Sequence, residues 1–223
     1  CYMQILLFLL QNITFKRFQN VVLLKISYII SSVFKINLHW GMPATLAVEP
    51  TTACNLRCPQ CPSGKRDFTR PTGHLDANMF RKIIDESHLH LMYLTFYFQG
   101  EPYLNPSFLE MTKYASEKGI FVSTSTNAHY LTKENAEKTI ESKLGRLVIS
   151  IDGTSQETYE KYRIGGALEK VLEGTRQIIK AKRELKSKLP FVEWQFIVMK
   201  HNEHQLSEVR KIAKEIEVDK LSI

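Results

Sequence analysis

From residue 43 onward, the chain alternates short β-forming segments with amphipathic helical segments. Runs rich in apolar and β-branched residues predict strands at 45–49, 92–98, 120–126, 146–151, 191–199 and 219–223. Helical spacing of apolar residues predicts helices at 75–87, 105–119, 132–142, 154–164, 167–188 and 203–216, with Asn105 as the cap of the second. Strands that alternate with helices indicate an α/β fold of parallel βα units, closed or partly closed around an axis.

Several predicted strands alternate apolar with polar residues, unlike the continuous apolar runs that parallel sheets usually show. Leu94, Phe96 and Phe98 share one side of their strand. Ser150 and Asp152 lie opposite the apolar side of the strand at 146–151. Unpaired polar groups are costly inside a fold, so a polar interior predicts water or a bound ligand there. A solvent-exposed sheet face is the alternative interpretation.

Residues 1–42 differ from the rest of the chain because they are strongly apolar and basic. We predict a helical extension over residues 1–42 and one α/β domain over residues 43–223. Lys25 and Lys35 interrupt the apolar runs, which are shorter than the roughly 20 residues of a membrane span. An extension packed on the domain is the first interpretation. A basic helix on a membrane surface and a truncated span are the alternatives.

The composition is that of a globular protein, with 43% hydrophobic and 24% charged residues. A net charge of +7 permits nucleic acid, an anionic membrane or an acidic protein as partner and selects none of them. Four cysteines with a tight cluster of three do not form a disulfide framework, which favours a reduced, intracellular protein. The chain begins with Cys1 and ends in a predicted strand, so we expect a fragment of a longer protein.

Cys54, Cys58 and Cys61 have the spacing C-x3-C-x2-C directly after the first predicted strand. In parallel βα folds, ligands bind in loops at the carboxyl ends of strands. Structural zinc requires four ligands, and the nearest fourth candidate is His74. Three buried structural thiols are a further alternative. A 4Fe–4S cluster held by three thiolates leaves one iron open to a substrate or cofactor, and this interpretation is favoured.

These segments resemble the radical S-adenosylmethionine (SAM) enzymes. "CNLRCPQC" (54–61) matches the cluster motif of that family, and "QGEP" (99–102) resembles its GGE-type motif. "STN" (125–127) and "SIDG" (150–153) resemble the branch that often carries a C-terminal SPASM auxiliary-cluster domain. The resemblance covers about residues 44–223. It implies a partial parallel (β/α)6 barrel, an incomplete TIM-like barrel, with the N-terminal helical extension added.

The resemblance implies that Cys54, Cys58 and Cys61 bind three irons of the cluster. The methionyl amine and carboxylate of SAM would bind the fourth iron. Gln60 departs from the family, which usually has an aromatic or apolar residue there, but the adenine contact at this position is largely through backbone. Gly100 would permit a close backbone approach to the methionyl group.

Further SAM contacts are implied at the ends of the predicted strands. Ser150 and Asp152 would bind the ribose hydroxyls, with Asn127 as a weaker partner. Arg163 would clamp the methionyl carboxylate, and Glu101 would accept from a bound amine or cap a nearby loop. Structural interpretations remain open beside these roles: a turn at Asp152, a helix cap at Asn127 and a solvated charge at Arg163.

The implied activity is cleavage of SAM to a 5′-deoxyadenosyl radical, which abstracts hydrogen from an unidentified substrate, with a peptide or protein among the candidates. An acidic flavodoxin or ferredoxin would deliver the electron by docking on Lys65, Arg66 and Arg70. We expect no nucleic-acid partner and a cytoplasmic location, with peripheral membrane contact through residues 1–42 left open. The alternative function is that of an iron–sulfur or zinc-binding interaction protein without SAM cleavage.

Overall fold

The computed structural model describes the backbone of residues 2–223 and the side chains of residues 5–223. The strands are β1 (Thr45–Ala47), β2 (Tyr93–Thr95), β3 (Phe121–Thr126), β4 (Arg146–Ser150), β5 (Phe191–Gln195) and β6 (Lys220–Ser222). The α-helices are α1 (Tyr2–Gln11), α2 (Phe15–Phe34), α3 (Pro62–Lys65), α4 (Ala77–Ser87), α5 (Phe108–Glu117), α6 (Lys133–Glu141), α7 (Gln156–Tyr162), α8 (Leu168–Glu184) and α9 (Leu206–Ile216). Short 3-10 helices cover Pro102–Leu104 and Glu203–Gln205.

The six strands form one parallel sheet in the sequential order β1-β2-β3-β4-β5-β6. The described strands do not close into a complete barrel, because β1 and β6 are the two edges of the sheet. The predicted partial parallel (β/α)6 barrel with an N-terminal helical extension is therefore confirmed. Because all neighbouring strands are parallel, their carboxyl ends lie on the same rim, and the loops that follow the strands meet there.

The apolar sides of the strands pack against the helices and form one core. Leu94, Phe96, Leu147, Ile149 and Trp194 are all fully buried in it. The predicted partner Phe98 is instead 73% exposed, so its assignment to this side was wrong. Strand β2 ends at Thr95, three residues earlier than predicted, and the alternation of sides does not continue into the loop.

The polar side of the sheet carries a buried ion-pair network. Glu193 of β5 is 3% exposed and accepts from Arg146 Nε at 3.0 Å and from Lys220 Nζ at 3.2 Å. Burial alone would raise the pKa of Glu193, but hydrogen bonds from Ser222 and Arg146 lower it below its ordinary value. These contacts satisfy the polar groups of the interior at this depth.

Asn105 joins two loops and caps the turn that leads into α5. The helix begins at Phe108, later than predicted, but Asn105 Oδ1 accepts from Ser107 N at 2.9 Å and the carbonyl oxygen of Asn105 accepts from Phe108 N at 3.0 Å. Asn105 Nδ2 also donates to the carbonyl oxygens of Pro50 at 2.8 Å and Leu75 at 3.0 Å. The contact fixes the loop after β1, which leads into the cysteines.

Helices α1 and α2 lie at the amino ends of the strands, and the cysteine loop lies at the carboxyl ends. The ring of Phe8 contacts that of Phe121, the first residue of β3, edge to face at 5.2 Å. No helix in the described part of the chain is both long enough and apolar enough to cross a membrane.

Arg17 attaches this extension to the α/β domain. Its side chain is buried, and the guanidinium donates to the carbonyl oxygens of Asn12, His88, Lys118 and Gly119 at 2.8 to 2.9 Å. The last three acceptors lie at the carboxyl ends of α4 and α5. A cation there satisfies terminal carbonyls and interacts favourably with both helix dipoles.

Candidate functional site

The three clustered cysteines lie in the loop after β1. Cys58 is buried, Cys54 and Cys61 are half-buried, and all three are free thiols. Leu56 N donates to Cys54 Sγ at 3.4 Å, and Cys61 N donates to the carbonyl oxygen of Cys58 at 3.2 Å. Cys61 also precedes the first residue of α3. These local contacts turn the loop back on itself and bring thiols from successive turns to one side.

The loop after β2 holds the cysteine loop through its backbone. Gly100 N donates to Ser63 Oγ at 2.9 Å, and Glu101 N donates to the carbonyl oxygen of Ala53 at 2.7 Å. Gly100 has a φ of +74°, and a Cβ atom there would lie 2.2 Å from the carbonyl oxygen of Thr51. Glycine is therefore required by both the backbone conformation and the close approach.

Replacing Gly100 by alanine should displace the cysteine loop. The added Cβ meets backbone oxygen, which cannot rotate away as a flexible side chain would. We expect a loss of stability of more than about 2 kcal/mol, because the left-handed conformation alone costs an L-residue roughly 1–2 kcal/mol. Chemical denaturation and iron content per chain measure the two consequences.

Gly165→Ala and Gly73→Ala are the matched controls. Gly165 has a φ of +79° with no atom within 4 Å of its added Cβ, so it reports the conformational cost alone. Gly73 has neither a positive φ nor a close neighbour and reports the baseline. Equal losses in the Gly100 and Gly165 variants would show that the contact with Thr51 does not matter.

Glu101 connects the ends of β2 and β3. It is 1% exposed; its Oε1 accepts from Thr126 Oγ1 at 2.7 Å and from Tyr103 N at 3.3 Å. Its Oε2 accepts from Asn127 N at 2.8 Å. Burial raises the pKa of Glu101 to about 7, although these hydrogen bonds act in the opposite direction. The carboxyl group therefore caps neighbouring backbone at Tyr103 and Asn127.

The loops at the carboxyl ends of the strands surround one cavity. The residues predicted for the site that line it are Cys54, Cys58, Cys61, Gly100, Glu101, Asn127, Ser150 and Arg163. They come from the ends of β1 to β4 and from the segment after α7. The fold thus gathers eight of the ten predicted residues at the rim where parallel βα folds bind ligands.

Asp152 lies beneath the cavity and does not line it. It is completely buried; its Oδ2 accepts from Arg163 Nε at 2.6 Å, and its Oδ1 accepts from Ile197 N at 2.8 Å. Both carboxylate oxygens are therefore engaged by the protein. Burial opposes the charge of Arg163, but Asp152 and Cys58 raise the pKa of Arg163 on balance. Asp152 orients Arg163, whose Nη1 lies 3.9 Å from Cys58 Sγ.

Gln60 and Asn127 have different environments. Gln60 is exposed in the turn between Cys58 and Cys61 and is not part of the cavity wall. Asn127 Nδ2 donates to Asn55 Oδ1 at 2.8 Å and lies 4.0 Å from Cys54 Sγ. Asn127 therefore joins the end of β3 to the cysteine loop.

Other residues of the cavity wall were not predicted as site residues. They are Leu56, Gly64, Tyr97, Phe98, Ser125, Thr126 and Tyr162. Most of them could have been predicted from their position in the sequence, because they lie close to predicted site residues in the same loops. At Gly64, an added Cβ would lie 2.4 Å from the carbonyl oxygen of Cys58. Its proximity to the cysteine backbone could not be read from the sequence.

The donor set suits a soft metal group. Burial raises the pKa of Cys54 to about 11 and also raises that of Cys58, where Arg163 acts in the opposite direction. Thiolates are the ligands of iron–sulfur groups and zinc, so metal binding must displace these protons. Among the described residues, no group of three or more His, Cys, Asp or Glu side chains is arranged around a single metal ion. All three thiols line one cavity, where they can together bind an iron–sulfur group.

Comparison with protein families identifies this arrangement. The sequence model of the Radical SAM superfamily matches residues 48–216, which include the cysteine loop and β2 to β5. The chain belongs to the radical SAM superfamily. This confirms the predicted family, its cofactors, a 4Fe–4S cluster and SAM, and the prediction of an enzyme.

Curated relatives with several different names match the radical SAM chain. An AdoMet-dependent heme synthase of Methanosarcina barkeri is 31% identical over 175 residues, which cover 78% of this chain and 48% of the relative. The mycofactocin maturase MftC of Mycobacterium tuberculosis is 31% identical over 62% of this chain and 35% of its own length. A PqqA peptide cyclase of Bradyrhizobium diazoefficiens is 27% identical over 82% of this chain and 47% of its own length. The chain spans about half the length, or less, of these curated relatives.

Solved structures share the fold of this radical SAM chain at low sequence identity. Streptococcus suis SuiB bound to precursor peptide SuiA matches with a TM-score of 0.69 and 15% identity, over 88% of this chain and 42% of SuiB. Native anSMEcpe with bound AdoMet matches with a TM-score of 0.63 and 20% identity, over 80% of this chain and 51% of its own. Because the sequence identities are low, these two matches show a similarity of fold alone.

Proposed function

We propose that the protein cleaves SAM reductively and uses the resulting radical to modify a polypeptide. When bound by Cys54, Cys58 and Cys61, the cluster would supply one electron to SAM, so that its C–S bond would break to give methionine and a 5′-deoxyadenosyl radical able to take a hydrogen atom from the substrate. The observation that carries this proposal is that one cavity unites three free thiols with polar groups from the ends of β2, β3 and β4. A metal site with a purely structural role would not require this second set of groups.

The residues of the chain have distinct roles in this proposal. Cys54, Cys58 and Cys61 hold the cluster, and the backbone beside Gly100 presents a close surface to the methionyl group. Ser150, half-buried at the end of β4, faces the cavity with its hydroxyl available to a ribose. Arg163 offers its guanidinium nitrogens, other than the Nε that binds Asp152, to a carboxylate.

A polypeptide substrate is favoured by the names of the relatives. They include a maturase, a peptide cyclase and a structure bound to a precursor peptide. The heme synthase among them acts on another class of molecule and is the second candidate. The exposed ring of Phe98 at the cavity wall offers an apolar contact to either substrate.

The direct test is SAM cleavage by the anaerobically purified protein. We expect a brown protein that contains iron and forms 5′-deoxyadenosine from SAM after reduction by dithionite. A colourless protein with stoichiometric zinc would support the zinc-binding interaction protein. An iron-containing protein that does not cleave SAM would support an iron–sulfur interaction protein.

We also propose that an acidic electron-transfer protein docks near α3. Lys65 and Arg66 are exposed at the end of this helix, and Lys65 N donates to the carbonyl oxygen of Cys61 at 2.9 Å. Arg70 was predicted to belong to this surface, but its Nη1 lies 2.6 Å from Glu49 Oε2, which offsets its charge. The docking surface therefore consists of Lys65 and Arg66.

The variant Lys65→Glu/Arg66→Glu should slow turnover that is driven by reduced flavodoxin. The loss should be largest at low ionic strength, because screening acts over about 10 Å at 0.1 M salt. Dithionite-driven turnover should change much less, and Lys113→Glu/Lys214→Glu, at exposed lysines on α5 and α9, is the matched control. Equal losses with both reductants would contradict docking and indicate that the loop shapes the SAM site.

A further inference from the structure

The buried side of helix α2 is polar. Arg17, Asn20 and Ser27 are its buried residues, each less than 5% exposed. Asn20 donates from Nδ2 to the carbonyl oxygen of Met42 at 2.9 Å and accepts from Met42 N at 2.8 Å. These bonds fix the segment after α2 against the helix, and the three bonds from Arg17 to His88, Lys118 and Gly119 attach the helix to the α/β domain. The exposed apolar residues of α2 take no part in these polar contacts.

The opposite side of α2 is an apolar stripe that faces outward. Its members recur every three or four residues and are 38% to 79% exposed: Phe15, Phe18, Val22, Ile26, Ile29 and Val33. We call these six residues the α2 stripe. At 1.5 Å per residue it is about 27 Å long. Amphipathic helices of globular proteins normally turn this side to the core, so the reversed orientation indicates an external binding partner.

The charged side chains of the extension itself are all positive. Residues 1–48 contain no Asp or Glu, and Glu49 is the first acidic residue of the chain. Lys16, Lys25 and Lys35 are exposed along and just beyond α2. The indole of Trp40 is half exposed in the segment that follows. Apolar contact area, lysines without acidic neighbours and an amphipathic aromatic ring together match an anionic bilayer surface.

We propose that α2 lies on an anionic membrane surface, with its stripe in the headgroup region and its polar side on the domain. A second copy of the chain fits this face less well. Lys25 is near the middle of α2, so antiparallel pairing of two stripes about a two-fold axis would bring two lysines together. An anionic bilayer instead offers negatively charged headgroups to the lysines and a hydrocarbon region to the apolar side chains. The leucines Leu6, Leu7 and Leu10, each at least half exposed on α1, extend the apolar area.

This orientation leaves the cavity open to water. The stripe belongs to the extension at the amino ends of the strands, whereas the cysteine loop lies at their carboxyl ends. Membrane binding is therefore independent of the proposed SAM chemistry, and each can fail without the other.

Sedimentation of the full chain with vesicles tests the proposal. We expect strong binding to vesicles of phosphatidylglycerol and phosphatidylcholine, weak binding to pure phosphatidylcholine, and release from the anionic vesicles as salt rises. Phe18→Ser/Ile26→Ser/Ile29→Ser should abolish binding to both kinds of vesicle. Lys16→Gln/Lys25→Gln/Lys35→Gln should weaken binding to the anionic vesicles by about 100-fold, since each lysine near such a surface contributes roughly fivefold.

Two matched control variants distinguish binding through the α2 stripe from nonspecific hydrophobic adsorption and from the effect of total positive charge. Met79→Ser/Leu185→Ser/Ile223→Ser removes three apolar side chains exposed elsewhere, and Lys113→Gln/Lys188→Gln/Lys214→Gln removes three exposed charges. Both should bind vesicles as the unaltered chain does. All mutated stripe residues are exposed, so circular dichroism and thermal unfolding should remain unchanged.

Three outcomes would overturn the proposal. The first is an absence of vesicle binding. The second is equal binding by the stripe variant and the unaltered chain. The third is a dimer, detected by light scattering, that the serine substitutions dissociate while vesicles have no effect; this would assign the α2 stripe to a second copy.

Discussion

Replacing Cys58 by alanine should remove most of the iron and reduce SAM cleavage to background. Cys58 is the buried member of the three thiols, and its Sγ is the one that Arg163 approaches. Loss of one of only three thiolates leaves the cluster without a stable set of ligands. We expect the decrease to exceed about 100-fold, the upper end of what loss of a supporting outer-shell partner causes at metal sites. Cys54→Ala and Cys61→Ala should behave in the same way.

Cys1→Ala is the matched control for this series. Cys1 lies outside the described residues, and the three-thiol hypothesis assigns it no role. Iron content, the visible absorption spectrum and 5′-deoxyadenosine formation should be unchanged in this variant. Loss of iron from the Cys1 variant would mean that the cluster has a different ligand set.

Replacing Arg17 by alanine should cause a large loss of stability, although the residue lies outside both the site and the apolar core. The substitution removes the guanidinium that donates to the carbonyl oxygens of Asn12, His88, Lys118 and Gly119. A hydrogen bond to a charged group contributes about 1.5–3 kcal/mol, and the four are not additive, so we expect about 3 kcal/mol in total. For a chain of this size, this lowers the Tm by about 6–12 °C.

Thermal and chemical unfolding of Arg17→Ala, Arg17→Lys and Lys16→Ala measure this effect. Lysine keeps the charge but cannot span four acceptors, so it should restore only part of the stability. Lys16 is the exposed neighbour on the same helix, and its replacement should change the Tm little. An unchanged Tm in the Arg17→Ala variant would contradict the anchoring role.

Periodicity in the sequence was sufficient to locate the six strands and the longer helices of the sheet domain, but the one-turn helix α3 (Pro62–Lys65) was not predicted. Burial imposes a period of two on strands and about 3.6 on helices, and both patterns are visible in the residues themselves. The ends were less predictable, as β2 and α5 show. Strand β2 ends at Thr95 although apolar and aromatic residues continue to Phe98, because loop geometry and not composition decides where pairing stops.

Within the site, the spacing of the cysteines and the resemblance of short motifs to the family predicted eight residues that line the cavity, whereas the contacts between those residues were not predictable. Spacing alone placed the three cysteines together. The approach of Arg163 to Cys58, 105 residues away, depends on how two loops meet at the rim. The buried position of Asp152 likewise results from the backbone of Ile197 and could not be seen in the turn motif.

The helical extension shows a second limit of sequence patterns. The apolar stripe of α2 was visible as periodicity, but a pattern does not state which side of a helix faces the domain. Arg17 decides this orientation through carbonyl oxygens that are 71 to 102 residues away in the α/β domain. Every residue type has a backbone carbonyl oxygen, so no sequence motif predicts which of them will accept from Arg17.

The separation of the extension from the cysteine loop has a practical consequence for electrochemistry. The extension occupies the amino ends of the strands, and the cavity opens at their carboxyl ends. A chain adsorbed on a solid support through α2 would present its cavity to the solution. Soluble reductants, SAM and substrate could then reach an oriented protein layer, although direct electron exchange with an electrode beneath α2 would have to cross the thickness of the domain.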